Sequence, residues 1–163
     1  MNPAVAALRD AVVVLAWFAV AAVVAAVVWW QVTPLPVFTR TRQGTVMNQV
    51  QLGDQVAIDG WYFLLAAGLG LVSGVALTAW RRRDAVRTVA LVTVGAVGAG
   101  WLAIVLGRWL GPPDPHSLLD HLRVGQHAMV QLELTSRGEW LVWPITALLG
   151  ALGVLWGTSA DGR

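Results

Sequence analysis

The residues best suited to binding a metal or to acid–base chemistry lie in and beside one polar segment, residues 116–139. The group consists of Asp114, His116, Asp120, His121 and His127. A protein metal site needs three or four ligands that are themselves held by hydrogen-bonding partners. His116 and His121 are five residues apart and would not share a helix face. We therefore interpret these residues as solvated loop residues and predict neither a metal site nor a cofactor.

Other reactive groups are scarce. The chain contains no Cys, which excludes disulfides, thiolate metal sites and cysteine nucleophiles. No glycine-rich phosphate loop, Ser/His/Asp spacing or carboxylate pair stands out. The net charge of +2 comes without a basic stripe interleaved with aromatic residues, so nucleic acid is not an expected partner. The sequence favours a non-enzymatic protein.

The elements that would position any site are four apolar blocks. The chain is 57% hydrophobic and 12% charged, and its apolar residues are collected at 11–30, 61–80, 88–110 and 140–156. About 20 apolar residues cross a bilayer core of roughly 30 Å as a helix. Within the blocks only Arg108 is ionisable, near an end where it can reach the interface. The sequence predicts a membrane all-α bundle of four transmembrane helices.

The first block could also be a signal peptide. It is too long for the apolar region of a signal peptide, and it ends in Trp29-Trp30 and not in a small-residue cleavage site. We interpret it as a membrane span.

Two polar segments carry strand-like alternation. In residues 31–60, prolines end the first helix, and apolar residues then alternate with polar ones between glycine turn signals, which predicts a β-hairpin or two short strands. Met129 to Thr135 alternate cleanly, which predicts a strand with Val130, Leu132 and Leu134 on one face. We expect this face to pack on the apolar residues of the first segment, Val50, Leu52, Val56 or Ile58. The predicted interaction platform comprises Val50, Leu52, Val130, Leu132 and Leu134.

The orientation in the membrane is predicted by the arginines. The connection 81–87 holds Arg81, Arg82, Arg83 and Arg87, and positive charge concentrates in cytoplasmic loops. Both termini should then be cytoplasmic and both polar segments outside, in a plasma membrane protein. The same arginines could bind anionic lipid head groups, although a topology signal is sufficient. The expected outer interface anchors are Trp29, Trp30, Trp61, Trp109, Trp140 and Trp143.

The two halves of the chain resemble each other. Trp30, Pro34 and Pro36 recur 79 residues later as Trp109, Pro113 and Pro115, and Trp61 with Trp140 and Gly74 with Gly153 share this offset. The sequence predicts one domain, 1–163, of two tandem repeats, 8–80 and 88–158, each a span, a strand segment and a span. A repeat of two spans keeps its orientation, so the axis should lie along the membrane normal.

Small residues recur every four positions in the two central spans. Such stripes let helix backbones approach closely in lipid. The sequence therefore predicts close contact between the second and third helices. The stripes are Ala66, Gly70, Gly74 and Thr78, and Gly95, Ala99, Ala103 and Gly107.

Four short motifs resemble a family of uncharacterised actinobacterial four-span membrane proteins, a domain of unknown function. The motifs are Asp59-Gly60-Trp61, the arginine run after Trp80, Leu110-Gly111-Pro112-Pro113 and Trp143-Pro144. The resemblance covers the chain from about residue 25 to 157. It implies the four-span architecture and no catalytic residues. In outline the layout is also similar to claudin-type proteins, without their cysteine pair.

These patterns favour a scaffold or accessory protein of the cell envelope that presents an extracytoplasmic β-platform. Its partners would be the lipid bilayer and an envelope protein or further copies of itself. One alternative is a subunit of a small oligomeric transporter or channel, which would need a polar path. Another is a membrane enzyme acting on lipid-linked envelope material, which would need the Asp114–His127 segment to converge on a pocket.

Overall fold

The computed structural model describes residues 3–42, 44–46, 49–81, 84–113, 123–136 and 138–160. The helices are α1 (Pro3–Val32), α2 (Gln49–Trp80), α3 (Ala85–Leu110) and α4 (Val142–Ala160), with a 3₁₀ turn (Glu139–Leu141) leading into α4. All four are long and apolar enough to cross a membrane. This confirms the four predicted membrane-spanning candidates by length and composition.

Three short strands form one antiparallel sheet. They are β1 (Val37–Thr41), β2 (Gly44–Val46) and β3 (His127–Met129), in the spatial order β2-β1-β3. The sheet connects the two halves of the chain, because β1 follows α1 while β3 follows α3. We call the end where α1 and α3 finish the sheet end. The opposite end, where α2 finishes and α3 begins, is the arginine end.

The predicted strands are only partly correct. β1 and β2 form the expected hairpin, but α2 begins at Gln49, so the strand predicted for Val50, Leu52, Val56 and Ile58 is wrong. Gln51, Gln55 and Ala57, which lie between them, are good helix formers. In this helix Ile58 turns inward and its carbonyl accepts a hydrogen bond from the Trp29 indole at 2.9 Å.

The second predicted strand is shorter and earlier than expected. Strand pairing with β1 ends at Met129, and the Val130 N–H donates to the Pro36 carbonyl at 2.9 Å. Beyond that point residues 130–136 are irregular, with bends at Leu132 and Thr135, and Leu132 is buried. The strand predicted for Met129 to Thr135 is therefore wrong beyond Met129, and the buried Leu132 faces the end of α3 and not a strand.

Helices α1 and α3 pack against each other as a parallel pair. The Phe18 ring lies against Gly95, and the Trp29 ring lies against Gly107. Both residue numbers rise together along the interface, so the two helices run in the same direction. The small residues of the α3 stripe therefore accept large side chains of α1.

Helices α2 and α4 form the second parallel pair, with the most extensive contacts in the bundle. A side chain at Gly70 would meet Trp143, and one at Gly74 would meet the Ala147 backbone. The glycines of the two stripes thus face α4 and α1 respectively. The expected contact between α2 and α3 is made by Tyr62 and Gly100 and not by the two stripes, because a stripe predicts close approach but does not choose the partner.

Candidate functional site at the sheet end

Leu132 closes the bundle at the sheet end. Its side chain is fully buried and belongs to the same core cluster as Ile58. A Cβ added at Gly111 would come within 2.9 Å of the Leu132 Cβ, and one at Gly107 within 3.5 Å of its Cδ2. Leu134 is half-buried beside this core. The segment after β3 is therefore anchored by apolar burial on the end of α3.

Two aromatic residues tie α1, α2 and α3 together beneath this segment. The Trp29 and Tyr62 rings meet edge to face, with centroids 5.2 Å apart. The Tyr62 hydroxyl donates to the Gly100 carbonyl on α3 at 3.3 Å. With the Trp29–Ile58 hydrogen bond, these contacts fix the start of the apolar part of α2.

The six predicted interface tryptophans fall into two groups. Trp30, Trp61, Trp109 and Trp140 are exposed, as residues at a membrane interface would be, while Trp29 and Trp143 are buried. For these two the interface prediction is wrong, because glycines on the neighbouring helices leave room for an indole in the core. Trp29 packs beside Gly107, and Trp143 packs beside Gly70 and Gly100.

A carboxyl pair lies at the sheet end, and sequence reasoning did not find it. Asp59 on α2 and Glu139 in the 3₁₀ turn lie close to each other. The Thr135 backbone N–H donates to Asp59 Oδ1 at 3.0 Å. Glu139 directly precedes Trp140, whereas Asp59 stands two residues before Trp61, so the acids do not occupy equivalent positions of the repeats and gave no shared sequence signal.

An ion pair joins Arg108, near the end of α3, to Glu133 in the segment after β3. Both side chains are exposed, at 45% and 52%. They border a cavity of about 440 Å³ that also contacts Thr135, Ser136 and Trp140. Arg108 therefore reaches the polar end of its helix, as expected for a long side chain near the end of a span.

The predicted platform residues do not share one surface. Leu132 is buried, Val130 and Leu134 are half-buried, and Val50 and Leu52 are exposed on α2. The helical conformation of residues 49–60 separates the last two from the segment after β3. The sequence predicted that the apolar residues of the first polar segment pack on those after β3. Of these residues, only Ile58 and Leu132 are both buried in the common core.

The predicted ligand group is only partly described. Asp114, His116, Asp120 and His121 lie outside the described residues. His127 is exposed on β3, with Nδ1 3.0 Å from the Thr39 hydroxyl. In the part of the chain that the structure describes, no three His, Cys, Asp or Glu side chains group as metal ligands.

The arginine end is compact and internally paired. Arg81 forms an ion pair with Asp10 at 2.5 Å and lies over the Trp80 ring, 5.1 Å from its centroid. Asp84 caps α3 by accepting a hydrogen bond from the Arg87 backbone N–H at 3.1 Å. Arg82 and Arg83 lie outside the described residues. A cavity of about 350 Å³ at this end is bordered by Arg81, Asp84 and Arg87.

No protein family, no curated protein and no solved structure matches this chain. The resemblance to the actinobacterial four-span family therefore stays a prediction. The function has to be argued from the geometry.

Proposed function

We propose that this protein is a non-enzymatic, multi-pass accessory protein of the cell envelope that presents its sheet end to a partner protein. In this proposal the sheet end is extracytoplasmic and the arginine end, with both termini, is cytoplasmic. The concentration of arginine in the 81–87 connection supports this orientation.

The projecting start of α2 is the observation that carries the proposal. A helix of 32 residues is about 48 Å long at roughly 1.5 Å per residue, well beyond a bilayer core of about 30 Å. The additional length is residues 49–60, which contain Gln and Asp and are unsuited to the hydrocarbon. Leu52 and Val56 nevertheless lie one turn apart on this polar part, 51% and 72% exposed.

Such exposure favours an interaction surface. Large apolar side chains that stay in water, on a protein whose other apolar faces have lipid or core to contact, mark a site for a protein partner. A partner helix or strand that covered Leu52 and Val56 would remove both from water. From here on, the platform means residues 49–60 together with the sheet, in place of the residue set predicted from the sequence.

The open edge of β3 supports the same proposal. Gln126 and Val130 direct their backbone hydrogen bonds to Arg40 and Pro36 on the β1 side. Because antiparallel pairing alternates, the backbone groups of His127 and Met129 face away from β1, and no other described strand pairs with them. An extended segment of a partner could add there as a further strand.

A tandem duplication forms part of the proposal. If the two halves are repeats, α1 corresponds to α3 and α2 to α4. These are the two pairs that pack most extensively, each in parallel. An axis along the membrane normal would bring equivalent helices together in this way.

The test is stoichiometric co-purification in mild detergent followed by mass spectrometry. We expect a partner that is retained by the wild-type chain and lost by Leu52→Asp/Val56→Asp. Val86→Asp is the matched control, since Val86 is also highly exposed but lies at the arginine end. Equal recovery of the partner with the double variant, at equal expression, would contradict the proposal.

A second candidate is a membrane enzyme acting on lipid-linked envelope material. The carboxyl pair of Asp59 and Glu139 favours it, since paired carboxyls can divide acid and base roles. Glu139→Gln should leave partner recovery unchanged if the platform is the functional surface, because Glu139 lies outside residues 49–60 and outside the sheet. Loss of the cellular phenotype with the partner still bound would favour the enzyme instead.

A further inference from the structure

A groove along α3 joins an apolar cavity to a polar one. The apolar cavity, about 490 Å³, lies between Val97, Gly98 and Trp101 and extends to Ile104 and Trp140. The polar cavity, about 440 Å³, also contacts Ile104 and Trp140 and continues to Arg108 and Glu133. The two cavities adjoin at Ile104 and Trp140, which border both, and together we call them the α3 groove.

The apolar part of the α3 groove has the depth of one membrane leaflet. Gly98 and Arg108 are ten residues apart on one helix, which is about 15 Å at roughly 1.5 Å per residue and half of a hydrocarbon core of about 30 Å. Gly98 leaves the floor open, because a Cβ there would meet nothing within 4 Å. Trp101, 66% exposed, forms one wall. An acyl chain fits this space in length and polarity.

The polar part has a balanced charge. Arg108 and Glu133 pair with each other and both stay exposed, and Thr135 and Ser136 lie beside them. A guanidinium with neighbouring hydroxyls is suited to phosphate, and the adjacent carboxylate is suited to an ammonium group. An anionic head group would gain from Arg108 but would be repelled by Glu133, so a head group with both charges matches the site better.

We propose that the α3 groove binds a zwitterionic phosphoethanolamine phospholipid from the leaflet at the sheet end. One acyl chain lies over Gly98 between Trp101 and Trp140. Arg108 binds the phosphate, and Glu133 accepts a hydrogen bond from the ammonium. The inference does not depend on the platform, since the groove lies along α3 while Leu52 and Val56 lie on α2.

Native mass spectrometry of the full chain, delipidated in detergent and titrated with dioleoyl phosphatidylethanolamine, tests the acyl site. We expect saturable binding of one lipid and at least a tenfold loss of affinity for Gly98→Leu, which fills the groove. Gly68→Leu is the matched control, because Gly68 is also an exposed helical glycine whose Cβ would meet nothing within 4 Å. Trp101→Ala, which removes a wall without adding bulk, should weaken binding in the same direction. Equal affinity for all four proteins, or binding that does not saturate, would overturn the proposal.

Dioleoyl phosphatidylglycerol, used in the same titration, tests the head group. The wild-type chain should bind phosphatidylethanolamine at least tenfold more tightly than phosphatidylglycerol. Glu133→Gln should remove that preference, and Arg108→Gln should weaken both lipids. Equal or tighter binding of phosphatidylglycerol to the wild-type chain would overturn the assignment.

Discussion

The two parallel helix pairs achieve close packing in different ways. Between α1 and α3, aromatic rings of α1 fill space left by glycines of α3, as Phe18 does at Gly95. Between α2 and α4, the backbones themselves touch, as Gly74 and Ala147 do. In the proposed membrane setting, lipid would be as apolar as a protein core, so packing would decide association in both pairs. The two pairs therefore differ in what must move when a glycine is replaced by a larger residue. Between α1 and α3 it is an aromatic side chain, and between α2 and α4 it is the backbone.

Gly74→Ala should have the largest effect on stability. A Cβ there would overlap the Ala147 carbonyl oxygen and lie 2.8 Å from its carbonyl carbon, so α2 and α4 would have to separate. Overpacking costs about 1–3 kcal/mol, and we expect the upper end because backbone, not side chain, must shift. Thermal unfolding in detergent measures this, and an unchanged transition would mean that the two helices do not touch here.

Gly107→Ala should have an intermediate effect of about 1–2 kcal/mol. The added Cβ would overlap the Trp29 ring and lie 3.5 Å from Leu132 Cδ2. The ring can turn, but turning weakens its hydrogen bond to Ile58. The same unfolding assay should place this variant between Gly74→Ala and wild type. A loss as large as that of Gly74→Ala would remove the distinction between the two pairs.

Tyr62→Phe should lower the free energy of unfolding by a smaller amount, about 0.5–1.5 kcal/mol, which is the net value of one hydrogen bond. The hydroxyl bonds to Gly100 at 3.3 Å, while the ring contact with Trp29 is kept. This contact links one helix pair to the other, so hydrogen exchange at the sheet end should rise slightly. A loss of stability larger than that of Gly107→Ala would contradict this ranking. It would show that the bundle depends on the Tyr62–Gly100 hydrogen bond more than on the glycine contacts within each pair.

Gly153→Ala should be neutral or stabilising by up to about 1 kcal/mol, since alanine favours helix over glycine. Its Cβ would meet nothing within 4 Å, unlike that of Gly74. The two glycines occupy equivalent positions in the predicted repeats, so unequal effects would show how far the halves have diverged in packing. A loss comparable to that of Gly74→Ala would place Gly153 in an interface.

The helices were predictable because long uncharged blocks leave few alternatives, and β1 and β2 followed from alternation between turn residues. The start of α2 was not predictable from alternation, because Val50, Leu52, Val56 and Ile58 fit a strand as well as a helix. Tertiary contact decides between them: the Trp29 indole bonds to the Ile58 carbonyl, and Ile58 is buried.

The candidate site was less predictable than the fold. Asp59 and Glu139 are single acids 80 positions apart, and only folding brings them together. The alternation around Leu132 indicated a buried side chain there, but its burial partners, Gly107 on α3 and Gly111 directly after it, gave no local signal. The glycine stripes likewise showed close packing without showing which helix would pack on them.

Single-cysteine labelling tests the central claim, that the sheet end is outside and presents the platform. The chain has no Cys, so each introduced thiol is the only site for a membrane-impermeant maleimide. Arg123→Cys and Val124→Cys place thiols at exposed positions of the sheet end outside the platform, and Val86→Cys places one at the arginine end. We expect the first two to label on intact cells and Val86→Cys only after permeabilisation. Labelling of Val86→Cys on intact cells, with the other two protected, would contradict the account.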